Sequence, residues 1–137
     1  MAVVIDASVA MGWLLPTQAS PLADRALTVT TEHGGWVPAH FAIEIARVLR
    51  TRERRNLLTQ QNSDFALRSL RALLLRQDPE PALDVIKTVV DLARRQSLRI
   101  ADAAYLELAM RMNLPLATQD IALARAATRT GISLFSA

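Results

Sequence analysis

The sequence over residues 1–6 reads Met-Ala-Val-Val-Ile-Asp, a short apolar run that ends in an acid. The segment Val3–Ile5 carries no polar side chain, which is typical of a strand covered on both faces of a parallel sheet. Near the other end of the chain, Leu116–Thr118 is predicted as a similar strand, and Asp120 lies just beyond it. Short apolar strands that alternate with helices predict an α/β fold, a parallel sheet with helices on both faces.

Helix signals and chain breaks alternate between these two strands. Ser20-Pro21 combines an N-cap with proline at the first helical position, which predicts a helix to about Glu32. Gly34-Gly35 breaks this helix, and Trp36-Val37 is predicted as a second strand. The remaining predictions are helices from about Ala39 into the Arg50s, over Thr59–Arg76, from the turn at 78–81 to about Gln96, over Ile100–Met112 and over Ile121–Arg129, and a last strand over Ile132–Phe135. Because the strands are few and short, helix should dominate.

Length and composition limit the class of protein. At 137 residues, 51% of them hydrophobic, the chain is predicted to form a single domain over residues 1–137 with a real core. The absence of Cys excludes a disulfide scaffold, a thiolate metal site and a cysteine nucleophile. The longest uncharged stretch, residues 7–23, contains Pro16 and Pro21 and predicts a poor membrane span. With no signal-peptide pattern at the start, a soluble cytoplasmic protein is expected.

Positive charge is concentrated in the middle of the chain. The formal net charge is +3, yet residues 41–77 alone carry eight Arg against three acids. Arginine binds phosphate through a planar fork of donors. Arg47, Arg50 and Arg54 share one face of the helix predicted after Ala39, and we expect them to contact the phosphates of a polyanionic substrate. A solvated helix face is the alternative explanation.

Four of the 13 acids occupy unusual positions. Asp6 and Asp120 come at the carboxyl ends of predicted strands, where ligands bind in open α/β sheets. By steps of about 100° per residue, Glu44 lies between the apolar face and the basic face of its helix. Asp102 lies near the middle of an apolar helix face, where an unpaired carboxylate is costly to bury.

Each of these acids has a simpler explanation on its own. Asp120 would cap the following helix, and Asp6 would bond nearby backbone amides. Glu44 would pair with Arg47, and Asp102 with a buried arginine. A shared explanation is that all four carboxylates converge at one edge of the sheet, where they need a cation. Oxygen ligands without Cys favour Mg²⁺ or Mn²⁺.

Two hydroxyls and one imidazole lie beside these acids in the sequence. The hydroxyls of Ser8 and Thr118 are predicted to bond the carboxylates or a metal-bound water, with ordinary turn bonding as an equal alternative. His40 lies one helical turn before Glu44, and a single His is predicted to be structural rather than a ligand. A dication beside a basic surface suggests phosphodiester hydrolysis, because the metal neutralises the phosphate and lowers the pKa of a bound water.

Four segments carry these acids in order along nearly the whole chain. They are Val-Val-Ile-Asp6-Ala-Ser8-Val, Pro-Ala-His-Phe-Ala-Ile-Glu44-Ile-Ala, Leu-Arg-Ile-Ala-Asp102-Ala-Ala-Tyr-Leu-Glu-Leu-Ala and Leu-Pro-Leu-Ala-Thr118-Gln-Asp120. Together they resemble the acidic motifs of PIN-domain nucleases, most closely those of VapC-type toxins from toxin–antitoxin pairs. The resemblance implies a helix-dominated three-layer α/β/α sandwich with a short-stranded parallel sheet.

The same resemblance implies an endoribonuclease that depends on Mg²⁺ or Mn²⁺. Asp6, Glu44, Asp102 and Asp120 would inherit the metal-binding and catalytic roles. The resemblance further implies a homodimer that acts on RNA and is neutralised by a cognate antitoxin, whose tail occupies the active-site groove. Arg47 departs from the family pattern, since many relatives carry Asn at this position.

Other functions remain open at this point. A haloacid-dehalogenase-like phosphatase would need a second Asp where Ser8 stands, and a receiver domain would need a Lys later in the fold than Lys87. A PIN-domain nuclease of RNA maturation would use the same four acids. A non-catalytic module that binds metal or RNA is the alternative outside the enzymes, and a metal-dependent cleavage assay would separate the two.

Overall fold

A computed structural model describes residues 1–136 and is built around a parallel sheet of four short strands. The strands are β1 (Val3–Ile5), β2 (Gly35–Val37), β3 (Leu75–Gln77) and β4 (Leu116–Ala117), in the spatial order β3-β2-β1-β4. Val4 of the central strand β1 lies between Trp36 of β2 and Leu116 of β4. All three residues of β1 are fully buried, as its β-branched composition predicted.

Seven helices connect and cover these strands in the described part of the chain. They are α1 (Ala7–Leu14), α2 (Pro21–His33), α3 (Phe41–Arg54), α4 (Gln60–Arg71), α5 (Leu83–Gln96), α6 (Ile100–Met112) and α7 (Ile121–Arg129). Helix α1 contacts α2, α3 and α4, whereas α6 contacts α5 and α7, and both α2 and α6 contact β1. The helices thus form two layers with the sheet between them, and the predicted α/β fold, rich in helix, is confirmed. No helix within residues 1–136 is long and apolar enough to cross a membrane.

The pair α1 and α2 shows how sequence sets the packing at this end of the sheet. Ser20 caps α2 by accepting a hydrogen bond from the backbone N–H of Ala23 at 3.0 Å, as predicted. The indole N–H of Trp13 donates to the carbonyl of Ala23 at 2.6 Å. A Cβ on Gly12 would lie only 2.6 Å from the Cβ of Ala23. Glycine therefore permits the close contact between the two helices.

Three predictions of secondary structure are wrong. No helix was predicted over Ala7–Leu14, where the structure has α1. The helix predicted over Thr59–Arg76 ends at Arg71, because Leu75–Gln77 pairs with β2 as the edge strand β3. Only one isolated bridge, from Leu116 to Leu134, forms in the last predicted strand.

The connections between the strands place a ligand site beside β1. The chain passes from β1 to β2 to β3 in one direction across the sheet, and then returns to β4 on the other side of β1. The strand order therefore reverses between β1 and β4. Ligands of open α/β sheets bind in the crevice outside such a reversal point, at the carboxyl ends of the strands. Asp6 directly follows β1, and Thr118 directly follows β4.

Candidate active site

Asp6 is held by two hydroxyls at the carboxyl end of β1. Its side chain is 5% exposed, and its Oδ2 atom accepts hydrogen bonds from Ser8 at 2.6 Å and from Thr118 at 2.7 Å. Its Oδ1 atom accepts no hydrogen bond from residues 1–136. Burial raises the pKa of this carboxyl above its usual 3.8, the two hydroxyls oppose that effect, and the charges of Glu44 and Asp102 add to it.

The same hydroxyls bind the turn that carries Asp120. The Ser8 hydroxyl accepts a hydrogen bond from the backbone N–H of Gln119, and that of Thr118 accepts one from the backbone N–H of Asp120, both at 3.0 Å. The two hydroxyls therefore connect the loops that follow β1 and β4. Asp120 caps α7 by accepting from the N–H of Leu123 at 2.9 Å, as one of its two interpretations predicted. Its second carboxylate oxygen has no hydrogen-bond partner in the described part of the chain.

Glu44 extends from the first turn of α3 towards α6. Its Oε1 atom accepts a hydrogen bond from the hydroxyl of Tyr105 at 2.8 Å, and Nε2 of His40 lies 2.9 Å from the same oxygen. The predicted pairing with Arg47 does not occur; the i, i+4 neighbour His40 takes that place. Burial acts to raise the pKa of Glu44, but the contacts with His40 and Tyr105, with the charge of Arg47, lower the pKa below its usual value.

Sequence reasoning missed Tyr105 and placed His40 one helical turn before Glu44 as a structural residue. The spacing of four residues allows the observed contact between His40 and Glu44, which was not predicted from the sequence. No comparable signal linked Tyr105 to Glu44, since 61 residues separate them in the sequence. The His40 and Tyr105 rings also meet edge to face, with centroids 5.2 Å apart. Glu44 is thus held in place by two aromatic side chains from different helices.

Asp102 is buried in the first turn of α6 and pairs with Arg99, the residue that precedes this helix. The Arg99 Nε atom lies 3.0 Å from Oδ2 of Asp102, and its Nη2 atom lies 3.4 Å from Oδ1. The predicted partner was a buried arginine, whereas the side chain of Arg99 is 78% exposed. The hydrogen bond to Asp102 raises the pKa of Arg99, and the charges of Asp120 and Glu44 add to that effect.

The mutual electrostatic effects show that the four predicted acids share one region. The charges of Glu44 and Asp102 raise the pKa of Asp6. The charges of Asp102, Asp120 and Glu44 raise the pKa of Arg99. Asp6, Glu44 and Asp120 each keep one carboxylate oxygen without a hydrogen-bond donor among residues 1–136. As the side chains stand, no three acidic or imidazole groups of the described residues are close enough to bind one ion together. The donor chemistry, carboxylate oxygens with no sulfur, suits Mg²⁺ or Mn²⁺, but the four side chains would have to move closer together to bind one ion.

A groove of about 660 Å³ lies between α3 and the helices α5 and α6. Glu44 and Arg47 lie in its wall, but Asp6, Asp102 and Asp120 do not. The opposite wall is fixed by the guanidinium of Arg111, which lies 2.8 Å from the buried Glu107 of α6 and 2.6 Å from Asp78, the residue after β3.

The three arginines predicted to form one basic face of α3 lie in different surroundings. Arg47 lines the groove, whereas Arg50 lies elsewhere, 3.6 Å from Glu53. Arg54 is exposed and makes no ion pair within residues 1–136. The three arginines therefore do not face the carboxylates together.

Residues 3–129 match the family model for the PIN domain, and the chain belongs to that family. The chain is 37% identical to Ribonuclease VapC3 of Mycobacterium tuberculosis over 125 residues, which cover 90% of this chain and 86% of that protein. It is 30% identical to Ribonuclease VapC12 of the same organism, over 90% of each chain. The predicted VapC-type PIN family is therefore confirmed.

Two solved structures share the fold at low sequence identity. The crystal structure of PAE2754 from Pyrobaculum aerophilum matches with a TM-score of 0.66 and 19% identity, over 92% of this chain and 87% of that chain. The crystal structure of FitAcB from Neisseria gonorrhoeae matches with a TM-score of 0.67 and 17% identity, over 98% and 96% of the respective chains.

Proposed function

We propose that this protein is an endoribonuclease that hydrolyses RNA phosphodiester bonds and acts as the toxin of a toxin–antitoxin pair. The observation that carries the proposal is the set of four acids of this PIN domain, of which Asp6 and Asp120 follow the strands on either side of the reversal point, while Asp6, Glu44 and Asp120 each keep an unbonded carboxylate oxygen. The names of the two mycobacterial relatives, both ribonucleases, support RNA as the substrate.

Asp6, Asp102 and Asp120 would hold Mg²⁺ or Mn²⁺, with Glu44 completing the site. When bound, such an ion neutralises charge on the scissile phosphate and lowers the pKa of a bound water. Ser8 and Thr118 donate to one oxygen of Asp6 and so leave the other directed away from them. Arg99 would release Asp102 for the metal; its exposed side chain can then turn towards the substrate.

Glu44 is suited to orient the attacking water. Its pKa lies below the usual value in spite of burial, so the carboxylate is ionised at neutral pH and can accept a hydrogen bond. Tyr105 and His40 both contact Oε1, which restrains the rotation of the carboxylate and leaves Oε2 as its unbonded oxygen. Arg47, which lines the same groove as Glu44, would hold a flanking phosphate.

A cleavage assay with purified variants tests this function. Asp6→Ala and Asp102→Ala should lose Mg²⁺- or Mn²⁺-dependent cleavage of RNA while keeping the circular dichroism spectrum of the parent. Asp64→Ala, which removes an exposed acid of α4, should cleave normally. The metal can be followed without activity, by calorimetric titration of Mn²⁺ into the parent and into Asp102→Ala. Metal-dependent cleavage that survives in purified Asp6→Ala would refute the proposal.

The toxin role implies a cytoplasmic homodimer that a cognate antitoxin neutralises. Expression should arrest growth, and co-expression of a small protein from the adjacent reading frame should relieve the arrest. A nuclease of RNA maturation with the same acids would cleave RNA without such a partner, and a non-catalytic module would bind without cleaving. Light scattering of the purified protein measures whether it is a dimer.

A further inference from the structure

A second, smaller groove lies on α3 beyond the candidate active site. It has a volume of about 360 Å³ and is lined by Arg47, Val48, Thr51, Arg52, Arg55 and Leu57. Half of these side chains are arginines, and none is acidic. Such a concentration of guanidinium groups in a concave surface attracts an anion with several charges.

The groove continues the face of α3 that carries Glu44. With about 100° per residue, Arg55 lies roughly 20° and Arg52 roughly 80° from Glu44 around the helix axis. With a rise of about 1.5 Å per residue, Arg47, Arg52 and Arg55 follow Glu44 at about 4.5, 12 and 16 Å along that axis. Arg47 lines both this groove and the larger one that contains Glu44. Arg47 therefore borders both grooves.

The cations of this smaller groove form no ion pair within residues 1–136. No acidic side chain of that range lies within ion-pair distance of Arg47, Arg52 or Arg55, whereas Arg50, which does not line the groove, lies 3.6 Å from Glu53. Arg52 is also partly buried. A partly desolvated guanidinium without a partner is unfavourable, so an anion that enters the groove gains more than it would at an exposed arginine.

We propose that the RNA backbone runs from Glu44 along α3 towards its carboxyl end and that Arg47, Arg52 and Arg55 bind successive parts of it. This inference rests on the proposed function, which makes RNA the substrate. An RNA strand must extend away from the cut phosphate, and Arg47, which lines both grooves, lies between Glu44 and the smaller groove. An acidic protein segment has the same charge, so a poly-glutamate peptide is the competing probe in the test. The contacts are with phosphates, so they position the strand without reading its bases.

The test measures RNA binding in EDTA, where cleavage plays no part. A fluorescein-labelled single-stranded RNA 20-mer is titrated with each variant at several salt concentrations, and the slope of log K against log salt is compared with that of the parent. Arg52→Gln and Arg55→Gln should each reduce the magnitude of the slope by about 0.7, which corresponds to roughly fivefold weaker binding at 0.1 M salt. Arg52→Lys should restore most of the slope, because the charge remains.

Two double variants test whether the effect is specific to the arginines of the smaller groove. Arg68→Gln/Arg71→Gln removes the same charge from exposed positions of α4 and should leave the slope unchanged. Arg50→Gln/Arg54→Gln removes it from two arginines of α3 that do not line the groove. If that pair, or the α4 pair, changes the slope as much as Arg52→Gln/Arg55→Gln, the groove is not the path and the inference is overturned.

The inference is also overturned if the Arg52→Gln/Arg55→Gln variant binds RNA like the parent. A poly-glutamate peptide is the second probe. Loss of peptide binding with unchanged RNA binding overturns the inference too, because the groove would then bind an acidic protein segment. Thermal unfolding of each variant checks that the fold survives. Because binding is measured in EDTA, loss of the groove contacts and loss of cleavage are separate results. A protein that never cleaves RNA but shows the predicted slopes refutes the proposed activity and keeps the path.

Discussion

Replacing Thr118 with valine is expected to weaken metal binding and to destabilise the fold. The substitution keeps the β-branched shape but removes a hydroxyl that donates to Asp6 at 2.7 Å and accepts from the N–H of Asp120 at 3.0 Å. A hydrogen bond to a charged group contributes about 1.5–3 kcal/mol, and an N–H left without a partner adds about 1 kcal/mol or more. The free energy of unfolding should therefore fall by about 2–4 kcal/mol. Partners that orient metal ligands contribute about 10–100-fold to metal affinity.

Two measurements on the Thr118 variants separate the structural role from the metal role. Urea unfolding of metal-free protein gives the stability, and calorimetric titration with Mn²⁺ gives the affinity. Thr118→Ser keeps the hydroxyl and should retain most of both. Thr130→Val removes a hydroxyl that bonds only backbone carbonyls of α7, so it should affect stability alone. If Thr118→Val binds Mn²⁺ as tightly as the parent, Thr118 does not support the metal site, whatever its effect on stability.

Tyr105→Phe removes the hydroxyl donor from Glu44 and should lower kcat for RNA cleavage about 10-fold or more; an unchanged kcat would exclude a positioning role for Tyr105. In EDTA, Asp6→Asn should stabilise the protein at pH 7. The pKa of Asp6 in the folded protein is raised above 3.8, so its carboxyl destabilises the fold once it is ionised. The stability gained by Asp6→Asn, measured from urea midpoints, should therefore shrink as the pH falls through the folded pKa towards 3.8. A gain that is the same at every pH would contradict this. Gly12→Val forces a side chain against Ala23 and should lower the free energy of unfolding by about 1–3 kcal/mol, measured by urea denaturation; a parent-like midpoint would contradict the close contact.

The helix α1 shows why part of the fold was not predictable from local patterns. Five of its eight residues are buried, including Val9, Ala10 and Met11, so its apolar side chains do not form one stripe. An amphipathic period is the main local sign of a helix, and a helix covered on several sides lacks it. Gly12 adds to the difficulty, since glycine disfavours helix locally and is required here by the contact with Ala23.

The edge strand β3 illustrates the opposite case, in which tertiary pairing overrides local preference. Leu75, Arg76 and Gln77 all favour helix, and a continuous helix was predicted as far as Arg76. Their extended conformation comes from pairing with Gly35–Val37 of β2, a partner about 40 residues away in sequence. Strand character at a sheet edge depends on that partner, so no window of local sequence contains it.

The acids were predictable to the extent that their positions follow from local rules. The position of Asp6 after an apolar strand and that of Asp102 on an apolar helix face can both be read from neighbouring residues, and both side chains are buried as expected. The arginines that lie near Glu44 were harder to predict, because the helical phase alone indicated Arg50 and Arg54. Arg52 falls in the apolar sector of α3 by phase, yet the structure places it in a groove at the end of that helix.

The hydroxyls of Ser8 and Thr118 offset part of the effect that burial has on Asp6. Burial raises the pKa of Asp6, and both hydroxyls act to lower it. Each hydroxyl is itself oriented by a backbone N–H of the turn that carries Asp120. A change in that turn is therefore expected to shift the pKa of Asp6 as well as the position of Asp120. The two acids behave as one unit, and the effects of substitutions at Asp6 and in this turn should not add.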